Sequence, residues 1–275
     1  MSNRLLKYAC YTCLLMLCSI AWASGPTCTP PFQTSAPGSF GGVLNDVGMG
    51  QDGTVWSIGS SGVELVFRGS AWTGTSIPGS PGGQPTNIGR VAAGPDGSPW
   101  AVDDNNGIWH FTTSWQQFPG LARDIAITAD GTPWVIGTLT ATGGFHIFFW
   151  NGSMWVQVAG AGIRIAGGSG SDVQPWVVNS SNHIFHRNAD GSFGELPGLA
   201  EDIGVDLSDT PWVLGTNMGS GGFEVYHFVG GAWQGDPNVG GISLTGGFGL
   251  FAPATGCGAF IVQINGPNNL VLSVQ

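Results

Sequence analysis

The sequence predicts an all-β fold made of repeated four-stranded antiparallel units, and three observations carry that prediction. Short apolar runs alternate with Gly, Asn-Gly and Asp-Gly, without sustained 3.6-residue periodicity, so hairpins are expected and helices are not. Glycine, at 48 of 275 residues, is abundant enough to serve many tight turns. A tryptophan-ending phrase also recurs along the chain, and self-similarity at a fixed period is the signature of a repeat architecture.

The phrase reads NDVGMGQDGTVW to Trp56, GRVAAGPDGSPW to Trp100, RDIAITADGTPW to Trp134, IRIAGGSGSDVQPW to Trp176 and EDIGVDLSDTPW to Trp212. A β-type run follows each (WVIG, WVVN, WVLG), then a third apolar run (GIWHF, HIFFW, HIFHR, EVYHF). A Gly-rich turn and a fourth run such as WVQV after Met154 complete the unit. Asp-Gly or a close variant joins the first two strands, where Gly relieves the positive φ of the turn, and Asn151-Gly152 joins a third strand to a fourth. Four-stranded units repeating every 34 to 48 residues predict the blades of a β-propeller.

Blade number follows from a longer period. Trp56, Trp134 and Trp212 are 78 residues apart, and Trp100 and Trp176 are 76 apart, so two unit types alternate. One type has a long Gly-rich loop after its second strand (from Thr138 and from Thr216); the other has a short one (from Asp103 and from Asn179). Three pairs predict a six-bladed β-propeller of four-stranded antiparallel blades. The repeats are clearest over 44–235, and a degenerate closing blade is expected over 240–275. There Phe260 stands in the tryptophan position and the fourth strand is missing. An N-terminal strand near 32–38, similar to the Trp115–Gly120 run, is expected to supply it; a final blade formed wholly from the C-terminal segment is the alternative.

Residues 1–23 read as a secretory signal peptide: Arg4 and Lys7, an apolar run, then Ala21-Trp22-Ala23 as the cleavage pattern. The apolar run is too short for a span of about 20 residues. Residues 24–275 are then a single exported domain, secreted or periplasmic, with no membrane span after cleavage. Cleavage leaves Cys28 and Cys257, one near each end, and an exported chain with two such cysteines is expected to join them in a disulfide. Loss of Arg4 and Lys7 takes the formal net charge from −10 to −12, which disfavours nucleic acid and anionic lipid as partners.

The phrases ARDIAITADGTPWVIG, FFWNGSMWVQVAG and QPWVVNSSNHIF resemble tectonin repeats, the blades of the tectonin and tachylectin-type lectin family. The resemblance covers about Leu44 to Trp233. It implies a six-bladed propeller that binds surface glycans, including bacterial lipopolysaccharide or methylated sugars. The last unit lacks both the Trp and the Asp-Gly turn, so a sixth equivalent site is not implied.

Two sets of residues are candidates for a role. Trp56, Trp100, Trp134, Trp176 and Trp212 could stack on pyranose faces, or fill the wedge between blades as large buried side chains. Asp46, Arg90, Asp124, Arg164 and Asp202 begin the innermost strands and alternate in sign. They are expected to ring one mouth of the central channel, either as a register-fixing ion network or as a selector of polar ligands; Gly241 takes the sixth position. Asp103, Asp104, Asn105 and Asn106 have the oxygen-rich look of a calcium loop without its full spacing, and a hairpin turn is the other reading. His110, His186 and His227 share one third-strand position, so they form no catalytic or metal cluster. The expectation is a multivalent, lectin-like binding protein with no cofactor, no metal and no enzymatic activity. The alternative is a protein-interaction scaffold.

Overall fold

The computed structural model describes residues 34–35, 44–50, 52–59, 64–67, 72–75, 88–169, 173–246, 259–265 and 268–274. The expected signal segment and both cysteines of the expected disulfide lie outside them. All regular structure among the described residues is antiparallel β-sheet.

In chain order, β1 (Thr34–Ser35) is followed by β2 (Leu44–Met49), β3 (Val55–Gly59), β4 (Glu64–Phe67) and β5 (Trp72–Thr75). The last four form one sheet in sequence order. Next come β6 (Ile88–Ala93), β7 (Pro99–Asp103), β8 (Gly107–Phe111), β9 (Trp115–Ile127), β10 (Pro133–Ala141), β11 (Gly144–Trp150) and β12 (Trp155–Gly162), which make a seven-stranded sheet. A second seven-stranded sheet holds β13 (Arg164–Ala166), β14 (Trp176–Val178), β15 (His183–Arg187), β16 (Phe193–Val205), β17 (Pro211–Gly219), β18 (Gly222–Val229) and β19 (Ala232–Gly241). Finally β20 (Ser243–Gly246), β21 (Ala259–Asn265) and β22 (Asn268–Val274) form a sheet whose outer strand is β1, with Thr34 opposite Val274.

Each seven-stranded sheet consists of two ladders sharing a long strand. Residues 115–121 of β9 pair with β8, whereas Ala122–Ile127 pair with β10. In β16 the change of partner falls between Leu199 and Ala200. The innermost strands then close on themselves: β2 lies beside β6, β6 beside β9, β9 beside β13, β13 beside β16, β16 beside β20, and β20 beside β2.

Register explains the recurring tryptophan. Opposite each one on the innermost strand stands a minimal residue: Gly48 for Trp56, Ala92 for Trp100, Ala126 for Trp134, Ala166 for Trp176 and Gly204 for Trp212. Directly paired side chains share a face, so a small partner leaves room for the indole. In the last sheet Thr245 is the register partner of Phe260.

Each core cluster joins the tryptophan face of one ladder to the next ladder. Trp134, Ile136 and Ile147 pack on Ile165 and Val177; Trp212, Leu214 and Val225 pack on Leu244 and Ile261. Strands β7, β10 and β17 are covered on both sides, so their buried stretches read as continuous apolar runs and not as an alternation.

The two segments expected as long Gly-rich loops are ordered hairpin arms. β10 runs to Ala141 and turns directly into β11, and β17 runs to Gly219 and turns into β18. Each arm carries a register shift, between Ile136 and Thr140 and between Leu214 and Met218. At the tips, Ser180 N–H donates to Gly143 O, and Gln263 Nε2 donates to Ser220 O, so each arm rests on the following ladder.

Candidate functional site

The alternating charges of the innermost strands form ion pairs. Arg90 Nη1 lies 3.2 Å from Asp46 and Arg90 Nε 3.8 Å from Asp124, while Arg164 Nε lies 3.7 Å from Asp202. Each carboxylate also accepts from a backbone N–H of the next innermost strand: Val91 to Asp46 at 2.7 Å, Ile165 to Asp124 at 3.0 Å, Leu244 to Asp202 at 2.9 Å. The pattern corrects the place expected for Gly241. The residues before Val91 and Ile165 are Arg90 and Arg164, and the residue before Leu244 is Ser243, not Gly241. Ser243 is also two residues before the partner of the aromatic Phe260, as each other ring residue is two before the partner of its Trp. Its hydroxyl donates to Asp46 Oδ1, joining the last innermost strand to the first.

Three carboxylates thus face two guanidinium groups. Burial pushes the Asp124 carboxyl up to about 6 against the pull of Arg90 and Arg164, and raises Asp202 for the same reason. For Arg90, burial favours the neutral form, but Asp46, Asp124 and Asp202 together hold it charged more firmly than usual. The ring borders a cavity of about 90 Å³, on a scale that suits water.

The recurrent tryptophans lie in the wedges. All five are buried, from Trp212 at 0% exposed to Trp176 at 8%, so none presents a ring face to solvent. The histidines are their cross-strand partners: Trp100 stacks on His110 at 4.1 Å, while Trp176 and His186 at 4.2 Å and Trp212 and His227 at 4.7 Å meet with tilted rings. Burial holds His110 and His227 toward the neutral form. Asp103 is likewise occupied by its own turn, accepting from the N–H groups of Asn105 and Gly107 and from Trp109 Nε1. Asn106 then takes φ 63°, which a short polar side chain tolerates. Among the described residues no group of three or more His, Cys, Asp or Glu could hold a metal ion.

A groove of a different kind lies between the ladders that share β16. A cavity of about 270 Å³ is lined by Gly198, Leu199, Thr216, Asn217, Tyr226 and Trp233, among others. Thr216 and Asn217 fall inside the register shift of β17, and a bulge of this kind re-aims side chains next to a site. Trp233 Nε1 donates across the groove to Pro197 O, which fixes the indole as part of the wall. Tyr226 Oη donates to Glu224 Oε2 and also bonds to Asn217; the Glu224 bond and burial both raise its pKa. Its ring lies against two glycines: a Cβ at Gly215 would sit 2.7 Å from Cε2, and one at Gly235 would overlap the opposite edge. These residues were not candidates from the sequence. Comparing units 78 residues apart, position by position, is the signal that finds them.

No protein-family model and no curated protein matches the chain. Solved structures do match. A gluconolactonase from Xanthomonas campestris aligns at 13% identity and TM-score 0.63, covering 93% of this chain and 92% of that one. Virginiamycin B lyase from Staphylococcus aureus aligns at 12% identity and TM-score 0.57, covering 89% and 98%. YCF48 bound to a D1 peptide aligns at 16% identity and TM-score 0.53, covering 84% and 77%. With the closed ring of innermost strands, these likenesses define the fold as a β-propeller. At such identities they speak for the fold alone. Two of the three are named as enzymes, so the comparison lends no support to the expectation of a chain without activity.

Proposed function

We propose that this chain is a six-bladed, exported propeller that binds carbohydrate in the groove at Trp233. Support for six comes from the division of each seven-stranded sheet into two four-stranded ladders beside two four-stranded sheets. The observation that carries the binding reading is the 270 Å³ cavity, where Trp233 and Tyr226 meet Thr216 and Asn217. Ligand sites are concave and mostly apolar, with a few placed polar groups, and drug-sized ones run from about 300 Å³ upward. This cavity is on the scale of one sugar ring, with aromatic carbon for its C–H faces and polar groups for its hydroxyls. The tectonin resemblance, which rests on the repeat phrases, points to the same ligand class, cell-surface glycans or lipopolysaccharide. A glycan array including lipopolysaccharides and methylated glycans tests it: binding that is lost in Trp233→Ala supports the reading, and no binding at high protein density overturns it.

A second reading is a protein-docking scaffold. It is favoured by Leu139 and Met218, which stand 65% and 67% exposed on the two arms, and by the peptide held by YCF48. Replacing the two exposed side chains by Leu139→Ser and Met218→Ser would abolish partner capture and spare glycan binding if this reading holds.

A further inference from the structure

We propose that the groove at Tyr226 reads a single neutral pyranose, and that its structural copy 78 residues earlier does not. The inference rests on the carbohydrate reading of the Trp233 groove. Six wall positions are identical in the two units: Gly198 and Gly120, Leu199 and Leu121, Val213 and Val135, Gly215 and Gly137, Thr216 and Thr138, Trp233 and Trp155. Trp155 Nε1 even repeats the cross-groove bond, donating to Pro119 O at 2.7 Å. The units part at two wall positions, Tyr226 and Asn217, and at two residues that touch Tyr226 without lining the cavity, Glu224 and Gly235. Tyr226, Asn217, Glu224 and Gly235 stand where the copy has Phe148, Leu139, His146 and Gln157.

Each difference removes hydrogen-bonding capacity from the copy or uses it up. Tyr226, Glu224 and Asn217 form a linked polar edge beside the cavity. The carboxylate of Glu224 has a second oxygen, and an asparagine amide has both donors and an acceptor to offer. In the copy, Phe148 has no hydroxyl, Leu139 is exposed, and His146 Nδ1 is within 3.1 Å of Gln157 Nε2. Gly235 matters by its absence of a side chain, because the Tyr226 ring occupies the space that a Cβ there would need. Glu224 also sets the charge preference. A carboxylate bonded to the wall residue Tyr226, in a chain of net charge −10, disfavours uronic acids and phosphorylated sugars. A site built to bond hydroxyls discriminates strongly against ligands lacking them.

The test is a calorimetric and NMR titration with methyl glycosides of glucose, galactose and N-acetylglucosamine, with methyl glucuronide as the anionic control. One site per chain is expected for at least one neutral glycoside, with weaker binding of the glucuronide. The double variant Asn217→Leu/Tyr226→Phe installs side chains that the same place in the fold already carries, so it is expected to fold. It should weaken binding at least about tenfold. Leu139→Ser, on the exposed arm of the copy, should leave binding unchanged. Two sites per chain, tighter binding of the glucuronide, or undiminished binding in the double variant would overturn the proposal. If Trp233→Ala alone abolishes binding while the double variant does not, the groove reading stands and the polar-edge assignment fails. If only the glucuronide or an arrayed glycan binds, and that binding is lost in Trp233→Ala, the neutral-pyranose proposal fails and the groove reading stands. If no glycan binds at all, or Trp233→Ala leaves binding intact, both fail.

Discussion

At Asp124 burial and charge oppose each other, and burial prevails. The folded state holds a proton there up to about pH 6, above the unfolded value of 3.8. The protonated form therefore adds stability that is fully present below the unfolded value and is lost as the pH rises toward about 6. That shift corresponds to about 3 kcal/mol at the upper end of the window. Urea unfolding from about pH 4 to pH 6 should show declining stability with rising pH, and Asp124→Asn should flatten the decline; an unchanged slope would place its source elsewhere. A second residue-level prediction concerns Trp212, whose Nε1 donates to buried Asp206 at 2.9 Å. Trp212→Phe should cost about 2–4 kcal/mol, from lost packing and a carboxylate that loses a partner. Thermal and urea unfolding would measure it, and a loss under about 1 kcal/mol would contradict the buried pairing.

For the elements, the hairpin arms are where backbone geometry governs. Gly144 and Gly222 adopt φ 136° and 145° just past the arm tips, and a Cβ on either would run into the carbonyl of Gly162 or Gly241. Each arm can turn back over its own fourth strand only if that residue is glycine. Gly222→Ala is expected to destabilise by more than about 1 kcal/mol and to loosen the Tyr226 groove, because the bulge at Thr216–Asn217 lies in the same arm. Amide hydrogen exchange along β17 and β18 would show the loss of protection locally. Unchanged protection would mean that the arm tolerates a different turn.

Across the whole molecule, closure joins the first innermost strand to the last. Ser243 and Asp46 are 197 residues apart, yet the serine hydroxyl bonds to the aspartate carboxylate. Serine also leaves the third guanidinium position of the ring vacant. Ser243→Ala should cost about 1–3 kcal/mol, since a buried carboxylate loses a donor, and should lower the urea midpoint without changing its slope. A changed slope would instead show that the ring opens before the rest of the molecule unfolds.

Much of the fold was legible because repeats expose their own constraints. The Trp phrase, the Asp-Gly turns and the alternating charges at Asp46, Arg90, Asp124, Arg164 and Asp202 fall at fixed offsets, and fixed offsets in strands translate into register. The sequence by itself determined the four-stranded unit and the all-antiparallel β-sheet, since each depends on local turn chemistry and period-2 geometry. Only the tertiary structure decided that the signature tryptophans fill wedges. It also decided that Ser243, not Gly241, bonds Asp46, that the Gly-rich loops are arms, and that Tyr226 and Asn217 meet Trp233 around one cavity. Those facts depend on which face of one ladder packs against the next and on where a bulge shifts the alternation. A linear repeat encodes such contacts only through the few positions where its copies differ.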